Sequence, residues 1–481
     1  MSEKFLNQIN ELSNNYNKNQ NSIKTNIESN NKEILIQNGQ ALLKMNDQKY
    51  IYFNPQEGNI NKQNNHEIIE FPQNKQIDLF NVIKNDSKNS GIKNIANNER
   101  YKAYSKPVKQ IKILKEEKEP EKKKIKIEKV SSLGLDNVGA TCYMNATLQC
   151  LAHIKKISEY IINFRDKGEL KDTKKYQLTS AYADVVKGIW FPENKAQSFA
   201  PNKFKEVIGI MNPLFAPTAA NDAKDLLIFL IEQMHNELNK SKETNLAIIL
   251  PDNMDSTNQQ QVLECFGNEF MKKYNSIFSH YFYGSNLSMT CCYGCKIIKY
   301  SYQCFSFIIF PLLEAKKYCV QSGKIHQMFY NQYILNIEDC FIYNQKVEFF
   351  YGDNQMYCNN CQSLMNSSMG TRIYTAPLVL ILVLNRGRGN LDFQEKFEFW
   401  EIIDLSNYVD YRQPDNRYFL AGVITHLGES GAGGHFIAFC RMSENSPWFC
   451  YNDSMVTQSN FMDINRRGTP YILFYQKIKM E

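Results

Sequence analysis

The chain has 481 residues, a formal net charge of +6 at pH 7 and an apolar fraction of 43%. This length suffices for two or three domains, or for one large domain with a tail. The longest apolar runs, such as 378–384, are far too short to span a bilayer, and much of the basic excess lies in one lysine-rich segment. Membrane insertion and nucleic-acid binding are therefore not expected.

The first 130 residues differ in composition from the rest of the chain. Residues 1–107 are rich in Asn, Lys, Gln and Ile, which predicts a low-complexity and largely disordered tail. Within it, 33–53 has apolar runs flanking turn-like pairs, so a small β element or a docking peptide is the alternative. Residues 108–130 are rich in Lys and Glu and are typical of a solvated linker. A packed domain is predicted over 131–478.

The cysteines indicate the compartment. All thirteen lie between Cys142 and Cys450, and the first residues lack the charged-then-apolar pattern of a secretory signal. An odd number of cysteines without a signal favours a reducing environment, in which thiols serve catalysis or metal binding. An intracellular location, cytoplasmic or nuclear or both, is expected.

The packed domain has helical patterns first and strand patterns later. Apolar spacing predicts helices over 142–163 and 222–238 and strands over 305–312, 374–384, 419–426, 436–441 and 471–476. A helical half followed by a strand-rich half predicts an α+β fold, with the active site where the halves meet.

One short stretch, Gly134 to Asn145, brings a cysteine to the start of an apolar run with helical spacing. Cys142 is therefore expected in the first turn of a helix, where unpaired N–H groups and the helix dipole favour a thiolate. A free cysteine is more often a small buried hydrophobic residue. A nucleophile therefore requires a matching base elsewhere in the chain.

The chain has seven histidines, and His435 is the best candidate for the base. His66 lies in the tail, His235 lies within a helical run, and His153 is expected to be a surface or capping residue. His435 follows a glycine-rich approach that includes Gly433 and Gly434, and it opens a strand-like run. The glycines would also let an extended substrate backbone pass close by.

A second strand-like run ends in Asn452 and Asp453. If the two runs pair as antiparallel strands, an amide or carboxylate there can accept a hydrogen bond from the ring of His435 and fix its orientation. The order cysteine, histidine, Asn/Asp is weak evidence alone, and the local contexts strengthen it.

Four motifs stand out over 131–477: Asn137-x-Gly139-x-Thr141-Cys142-Tyr143-Met144-Asn145, Leu148-Gln149, Gly434-His435-Phe436 and Trp448 through Asp453. Together they resemble the motifs of the ubiquitin-specific protease family of deubiquitinating enzymes. This resemblance implies a papain-like cysteine peptidase fold with thumb, palm and fingers. It also implies hydrolysis of the peptide or isopeptide bond after the C-terminal Gly of ubiquitin, with ubiquitin and ubiquitinated proteins as partners.

The resemblance also implies a role for each matching residue. Cys142 falls on the nucleophile and His435 on the general base, while Asn452 falls on the residue that orients the histidine. Asp453, next to it, would assist or partly substitute. Asn137 falls on the amide of the oxyanion hole, which stabilises the tetrahedral intermediate.

A further match concerns the substrate. The segment 221–227 is similar to the family's helix that faces the ubiquitin tail, so Asp222 is expected to pair with arginines of that basic tail. The alternative is that Asp222 only caps the helix, and one carboxylate can do both.

Two Cys-x-x-Cys knuckles, Cys292/Cys295 and Cys358/Cys361, are separated by 62 residues (296–357). Four thiolates suit a tetrahedral structural zinc, although this gap exceeds that of a compact zinc ribbon. The resemblance puts these knuckles at the fingertips. Cys291, beside Cys292, leaves one ligand open, and a redox pair is the less favoured alternative. No catalytic cofactor is expected.

Several positions depart from the family pattern, and none removes a catalytic group. Ala140 stands where Asn is usual, Phe436 where Tyr is usual, and Asn385-Arg386-Gly387 where Lys-Arg-Phe is common. An active deubiquitinase is predicted. The alternatives are a peptidase for another ubiquitin-like modifier and a non-catalytic scaffold that binds ubiquitin.

Overall fold

The computed structural model describes residues 125–479, with gaps at 172–173, 193–195, 244, 252, 388–389, 412–414 and 432, and four strands before residue 54. The chain divides into two units, 1–97 and 98–481. In the first unit β1 (Ile23–Ile27), β2 (Lys32–Gln37), β3 (Gln40–Asn46) and β4 (Lys49–Phe53) form an antiparallel sheet in sequential order. The small β element that was the alternative interpretation of 33–53 is part of this sheet. The other residues of 1–107, and 108–124, lie outside the described residues.

The second unit alternates helices with strands and then becomes rich in strands. Its α-helices are α1 (Cys142–Ala152), α2 (Lys155–Asp166), α3 (Gln177–Trp190), α4 (Asn202–Met211), α5 (Ala223–Leu238), α6 (Gln259–Lys273), α7 (Ile277–Phe282), α8 (Leu312–Gln321), α9 (Ile337–Asn344), α10 (Asn390–Phe393) and α11 (Phe461–Arg466). Its strands are β5 (Gly134–Leu135), β6 (Ser198–Phe199), β7 (Gly284–Cys292), β8 (Ile298–Phe305), β9 (Ile308–Pro311), β10 (Leu335–Asn336), β11 (Val347–Phe350), β12 (Met356–Cys358), β13 (Ser363–Met365), β14 (Ser367–Thr375), β15 (Val379–Asn385), β16 (Phe397–Glu398), β17 (Ile402–Asp404), β18 (Arg417–Ser430), β19 (Gly433–Cys440), β20 (Trp448–Asn452), β21 (Met455–Ser459) and β22 (Thr469–Lys477).

The largest sheet has eight strands in the order β21-β20-β19-β18-β22-β15-β9, with β17 paired to β18. Its inner strands are buried on both faces. In β15, Val379, Ile381 and Val383 belong to one apolar core and the alternating leucines to a second core. Because side chains alternate across a strand, a continuous apolar run is what a strand buried on both faces requires.

Helix α1 lies in the first of these cores, and all eleven of its residues are buried. It packs against β18 and β19, where a Cβ at Gly422 would lie 3.3 Å from Sγ of Cys150. Glycine therefore permits the helix to approach the sheet closely. The approach brings the N-terminus of α1 to the strands that carry His435 and Asn452.

A second sheet has the order β11-β14-β7-β8, and the short hairpin β12–β13 lies between β11 and β14 in the chain. Residues that face one side of β7 and β8, including Leu287, Met289 and Tyr302, are buried. Helix α6 packs on β8. The Cys-x-x-Cys segments lie at the end of β7 and in the turn of the β12–β13 hairpin.

The α+β fold class predicted from the sequence is confirmed, and so is the helix that follows Asp222. The bounds of three predicted elements are wrong. The helix over 142–163 is two helices, because Ile154 leaves the helical conformation with ψ 86°. The runs 305–312 and 374–384 each cross the end of one strand and the start of another. Among the described residues, no helix is long and apolar enough to cross a membrane.

A buried carboxylate joins two helices of the first core, and it generates a stability prediction. Glu237 on α5 is 6% exposed and accepts hydrogen bonds from the backbone N–H groups of Leu178 (3.0 Å) and Thr179 (2.7 Å) at the start of α3. Glu237→Leu leaves both donors buried without an acceptor, so we expect a loss of about 3 kcal/mol in the free energy of unfolding. Chemical denaturation measures this loss.

The matched control is Glu206→Leu, since Glu206 is an exposed glutamate on α4. Its effect should stay within about 0.5 kcal/mol. Equal losses in the two variants would contradict the capping role of Glu237.

Candidate active site

Cys142 is the first residue of α1, and it is 5% exposed. The side chain of Asn137 holds the preceding loop, because its Oδ1 accepts hydrogen bonds from the N–H groups of Gly139 (3.2 Å) and Thr141 (3.0 Å). Gly139 and Ala140 have φ of 118° and 46°, which turns the chain into the helix. The first N–H groups of a helix have no intrahelical acceptor and favour an anion. This position therefore suits a thiolate.

His435 near the start of β19 and Asn452 at the end of β20 are brought together by strand pairing. The strands are antiparallel, with Ala438 opposite Tyr451. Nε2 of His435 lies 2.6 Å from Oδ1 of Asn452, so Nε2–H donates to the amide oxygen. His435 also forms a hydrogen bond with Cys142. Because Nε2 is used by Asn452, Nδ1 is the ring nitrogen left for this bond.

The electrostatics of His435 favour its charged form. Its hydrogen bond with Cys142, and then the one with Asn452, raise the pKa of His435 to about 9 against the opposing effect of burial. The carboxylate of Asp453, with Oδ2 4.0 Å from Nε2, acts in the same direction. Imidazolium therefore predominates near neutral pH, beside the sulfur of Cys142.

Asp453 occupies the two-residue turn between β20 and β21 and has a φ of 51°. Its Oδ2 accepts from Nδ2 of Asn137 (2.9 Å) and its Oδ1 from Nδ2 of Asn145 (2.8 Å). Its backbone oxygen accepts from the N–H of Leu135 (2.9 Å), and a Cβ at Gly134 would overlap the turn. This turn is thus fastened to the loop that carries Cys142.

The residues predicted to contact substrate lie at or near the start of β19. Asp222 caps α5, as the alternative interpretation predicted, with Oδ1 accepting from the N–H of Lys224 (2.8 Å). Its Oδ2 accepts from the hydroxyl of Tyr471 (2.7 Å). Gly433 faces open space, whereas a Cβ at Gly434 would overlap the ring of His426. The pairing of Asp222 with a basic substrate tail stays a prediction.

Aromatic side chains pack together beside His435. His426 is 4% exposed, and its ring contacts Phe393 and Phe436 at centroid distances of 5.0 and 4.8 Å. Phe436 also lies 5.6 Å from the ring of Tyr471. Burial lowers the pKa of His426, which keeps it neutral at pH 7. Phe436 is therefore part of an aromatic cluster, and it packs there without the hydroxyl that the usual Tyr would carry.

The four knuckle cysteines converge at the tip of the second sheet. The sulfur atoms of Cys292, Cys295, Cys358 and Cys361 all lie within 4.8 Å of one another, with 3.9 Å between Cys292 and Cys361 and 3.7 Å between Cys295 and Cys358. A zinc ion with Zn–S bonds of about 2.3 Å needs sulfurs about 3.8 Å apart, so the set fits a tetrahedral structural zinc. A hydrogen bond from the backbone N–H of Cys361 lowers the pKa of Cys358 to about 6. Cys291 is outside this cluster.

His153 was expected to be a surface or capping residue. It does follow α1 as its C-cap, but its assignment to the surface is wrong, since it is 1% exposed. Its Nδ1 lies 2.8 Å from the backbone oxygen of Gln149 and its Nε2 2.8 Å from the hydroxyl of Tyr451. Burial lowers the pKa of His153 to about 4, so it is a neutral link between α1 and β20.

Arg386, in the segment that departs from the Lys-Arg-Phe pattern, is 2% exposed. It donates hydrogen bonds to the backbone oxygens of Pro470 (2.8 Å), Phe393 (3.2 Å) and Glu395. Burial lowers the pKa of Arg386 to about 10. The retained arginine thus holds the segment that ends in α10 against the sheet.

Sequence reasoning did not assign Asn145, His426 or Tyr471 to the site. Asn145 stands within the motif that carries the family resemblance, three positions after Cys142, which was a usable signal. No local pattern marked Tyr471 or His426, because they come near His435 only through the pairing of β18 with β19 and β22.

Known proteins resemble this chain over the same region. It is 24% identical over 363 residues to ubiquitin carboxyl-terminal hydrolase 21 of Homo sapiens, covering 72% of this chain and 61% of the relative. It is 24% identical over 351 residues to ubiquitin carboxyl-terminal hydrolase 2 of Rattus norvegicus, covering 71% and 53%. The chain therefore spans little more than half the length of these relatives.

Its fold is similar to that of a solved structure, the SAGA DUB module Ubp8/Sgf11/Sus1/Sgf73 bound to monoubiquitin. The TM-score is 0.52 at 22% identity, over 73% of this chain and 70% of that chain. The same module bound to ubiquitin aldehyde gives a TM-score of 0.50, also at 22% identity. These likenesses confirm the papain-like fold that the sequence predicted.

The family described as "Ubiquitin carboxyl-terminal hydrolase" matches residues 133–475 of the 481. The match contains the Cys142 loop, the zinc knuckles, and the strands that carry His435 and Asn452. The chain belongs to the ubiquitin carboxyl-terminal hydrolase family.

Proposed function

We propose that this protein is a thiol-dependent deubiquitinase that hydrolyses the peptide or isopeptide bond after the C-terminal Gly of ubiquitin on protein conjugates. The observation that carries the proposal is the position of His435 between Cys142 and Asn452, with hydrogen bonds to both. The family membership and the known relatives, which are named as ubiquitin hydrolases, agree with it.

The reaction begins on the thiolate of Cys142, which attacks the carbonyl carbon of the terminal Gly. The resulting oxyanion accepts a hydrogen bond from Asn137 Nδ2, whose other hydrogen is held by Asp453, and another from the Cys142 N–H at the helix start. His435 then gives its proton to the leaving lysine amine, and a thioester on Cys142 remains. Neutral His435 takes a proton from water, whose oxygen attacks the thioester and releases the ubiquitin carboxylate and the thiolate.

The remaining residues of the cleft have binding or orienting roles in this proposal. Asn452 holds the ring of His435, and Gly433 and Gly434 let the extended tail of ubiquitin pass. Asp222 would attract the basic residues of that tail. Its carboxylate is already shared with Lys224 N–H and Tyr471, so it is held ready for a charged partner.

Zinc in this proposal is structural. Cys292, Cys295, Cys358 and Cys361 would hold it at the tip of the second sheet, where it would join two chain segments that have little apolar core of their own. The reaction needs no metal, because Cys142 and His435 supply the nucleophile and the proton transfers.

We also propose residues 131–478 as the catalytic domain, preceded by the low-complexity region 1–107 and the linker 108–130. An intracellular location, cytoplasmic or nuclear or both, is proposed because none of the thirteen cysteines, all of which lie among the described residues, forms a disulfide bond. Ubiquitin and ubiquitinated proteins are the proposed partners.

The first prediction concerns covalent labelling. A ubiquitin probe with a C-terminal electrophile should form an adduct with the intact protein and none with Cys142→Ala, since the bond forms on that sulfur. His435→Ala should slow adduct formation by roughly 100-fold or more, because the base is lost. Gel shift and intact mass measure both.

Probes made from other ubiquitin-like modifiers serve as controls for specificity. Labelling only by one of those probes would replace ubiquitin as substrate. A folded protein that binds ubiquitin without forming any adduct would be a scaffold and would contradict the proposed hydrolase.

The second prediction concerns pH. The pKa of His435 is about 9, so activity should persist to mildly alkaline pH and fall as the imidazolium deprotonates. In Asn452→Ala one of the hydrogen bonds that raise this pKa is lost, so the alkaline limb of kcat/KM should move to lower pH. Initial rates on a fluorogenic ubiquitin conjugate between pH 6 and 10 measure the shift.

Gln458→Ala, which removes an exposed amide from the neighbouring β21, should keep the alkaline limb of the unchanged protein. An alkaline limb that does not move in Asn452→Ala would argue against Asn452 as the partner of His435.

The third prediction concerns zinc. The purified protein should contain about one zinc ion per chain, and Cys358→Ser should lose most of it because a tetrahedral site loses a ligand. Its melting temperature should fall as well. Elemental analysis and thermal unfolding measure these changes.

Cys291→Ser is the matched control, because Cys291 adjoins a ligand but lies outside the cluster. It should keep the zinc. Zinc loss in Cys291→Ser together with retention in Cys358→Ser would mean that the ligand set is wrong.

A further inference from the structure

Asn145 connects the cysteine helix to the turn that follows Asn452. It lies one helical turn after Cys142 and is 2% exposed. Its Nδ2 donates to Oδ1 of Asp453 (2.8 Å) and approaches the backbone oxygens of Leu135 (3.3 Å) and Asp136 (3.2 Å). One amide thus contacts the loop before the cysteine and the turn after Asn452.

This contact fixes the orientation of the Asp453 carboxylate. Asn145 holds Oδ1, while Asn137 holds Oδ2 at 2.9 Å, and Oδ2 also lies 4.0 Å from Nε2 of His435. A carboxylate held at both oxygens cannot rotate about its last bond without losing a charge-assisted hydrogen bond. Release of Oδ1 would therefore also disturb the contact that aims the amide of Asn137.

The oxygen of the Asn145 side-chain amide indicates that the donor group of this amide has a role. Within the described part of the chain, the buried Oδ1 of Asn145 has no hydrogen-bond partner. A buried acceptor without a partner is destabilising, and an apolar side chain at this position would avoid that cost. The gain that offsets it is the bond from Nδ2 to Asp453.

We propose that Asn145 is a positioning residue of the hydrolytic site. It acts through Asp453, whose carboxylate it holds in the orientation that aims Asn137 at the oxyanion and keeps negative charge beside His435. This role rests on the proposed hydrolase function, and it concerns the reaction step and not the binding of ubiquitin.

A double-mutant cycle between Asn145→Ala and Asp453→Ala tests the pathway. On a fluorogenic ubiquitin conjugate, Asn145→Ala should lower kcat by about 10- to 100-fold with KM unchanged within about twofold, because the reacting groups are misplaced. In the Asp453→Ala background the same substitution should change kcat by less than about threefold, since the two residues act as one unit. Additive losses would overturn the proposal.

Thr147→Val is the matched control on the same helix. Thr147 is also fully buried and hydrogen-bonded, but its hydroxyl donates to the backbone oxygen of Tyr143 and points toward α5. It should lower stability without a selective fall in kcat. A fall in kcat equal to that of Asn145→Ala would mean that any disturbance of α1 has this effect, and would overturn the assignment.

A measurement without ubiquitin separates this inference from the proposed function. Alkylation of Cys142 by iodoacetamide, followed by mass spectrometry of its peptide as a function of pH, reports the state of the Cys142–His435 pair. Its upper inflection should move to lower pH in Asp453→Ala, which removes the negative charge near His435, and by a smaller amount in Asn145→Ala, which releases that carboxylate from its orientation. An unmoved inflection would overturn the proposal even if ubiquitin is not the substrate.

Asn145→Asp provides a second variant of nearly the same shape. It sets a carboxylate against that of Asp453, so activity should fall. Adding Asp453→Asn restores a donor–acceptor pair with reversed direction and still offers an acceptor to Asn137. The double variant should be more active than Asn145→Asp alone, and a double variant that is less active would overturn the proposal.

Discussion

The site depends on the attachment of one turn, Asp453–Ser454, to the loop that begins at Gly134. These segments are over 300 positions apart in the chain, and their contact requires the absence of a side chain at Gly134, where a Cβ would lie 2.4 Å from the backbone oxygen of Ser454. Three hydrogen bonds complete the attachment. The backbone N–H of Leu135 donates to the backbone oxygen of Asp453, and the side-chain amides of Asn137 and Asn145 donate to its carboxylate. Because β20 carries Asn452 immediately before the turn, this contact also sets the distance between the thiol and the histidine.

The central sheet supplies the rigid support that this contact needs. Its inner strands are buried on both faces, so β18 and β19 cannot shift without disturbing two cores. Behind the site, neutral His153 joins the end of α1 to Tyr451, the neighbour of Asn452. The buried guanidinium of Arg386 holds the segment that brings Phe393 against His426. The site is therefore supported on its helix side and on its strand side.

Much of this arrangement could be predicted because the motifs are local. The helix start at Cys142, the strand that begins just before His435, and the cap at Asp222 depend on spacing within a few residues. The contacts that could not be predicted depend on register between distant strands. Tyr471 reaches Asp222 only through the irregular pairing of β22 with β18, and the burial of His153 depends on how closely α1 approaches β20. Local pattern says nothing about such distances.

Backbone strain occurs close to the reacting groups and to the cysteine knuckles. Among the described residues, the non-glycine residues with positive φ are Ala140, Lys296, Gln362 and Asp453. Ala140 and Asp453 flank the reacting groups, and Lys296 and Gln362 each follow the second cysteine of a zinc knuckle. Such conformations cost of order 1 kcal/mol or more each and persist only where surrounding contacts enforce them. Because the strained residues coincide with the site and the knuckles, the fold concentrates its unfavourable backbone where the chemistry and the metal require a fixed geometry.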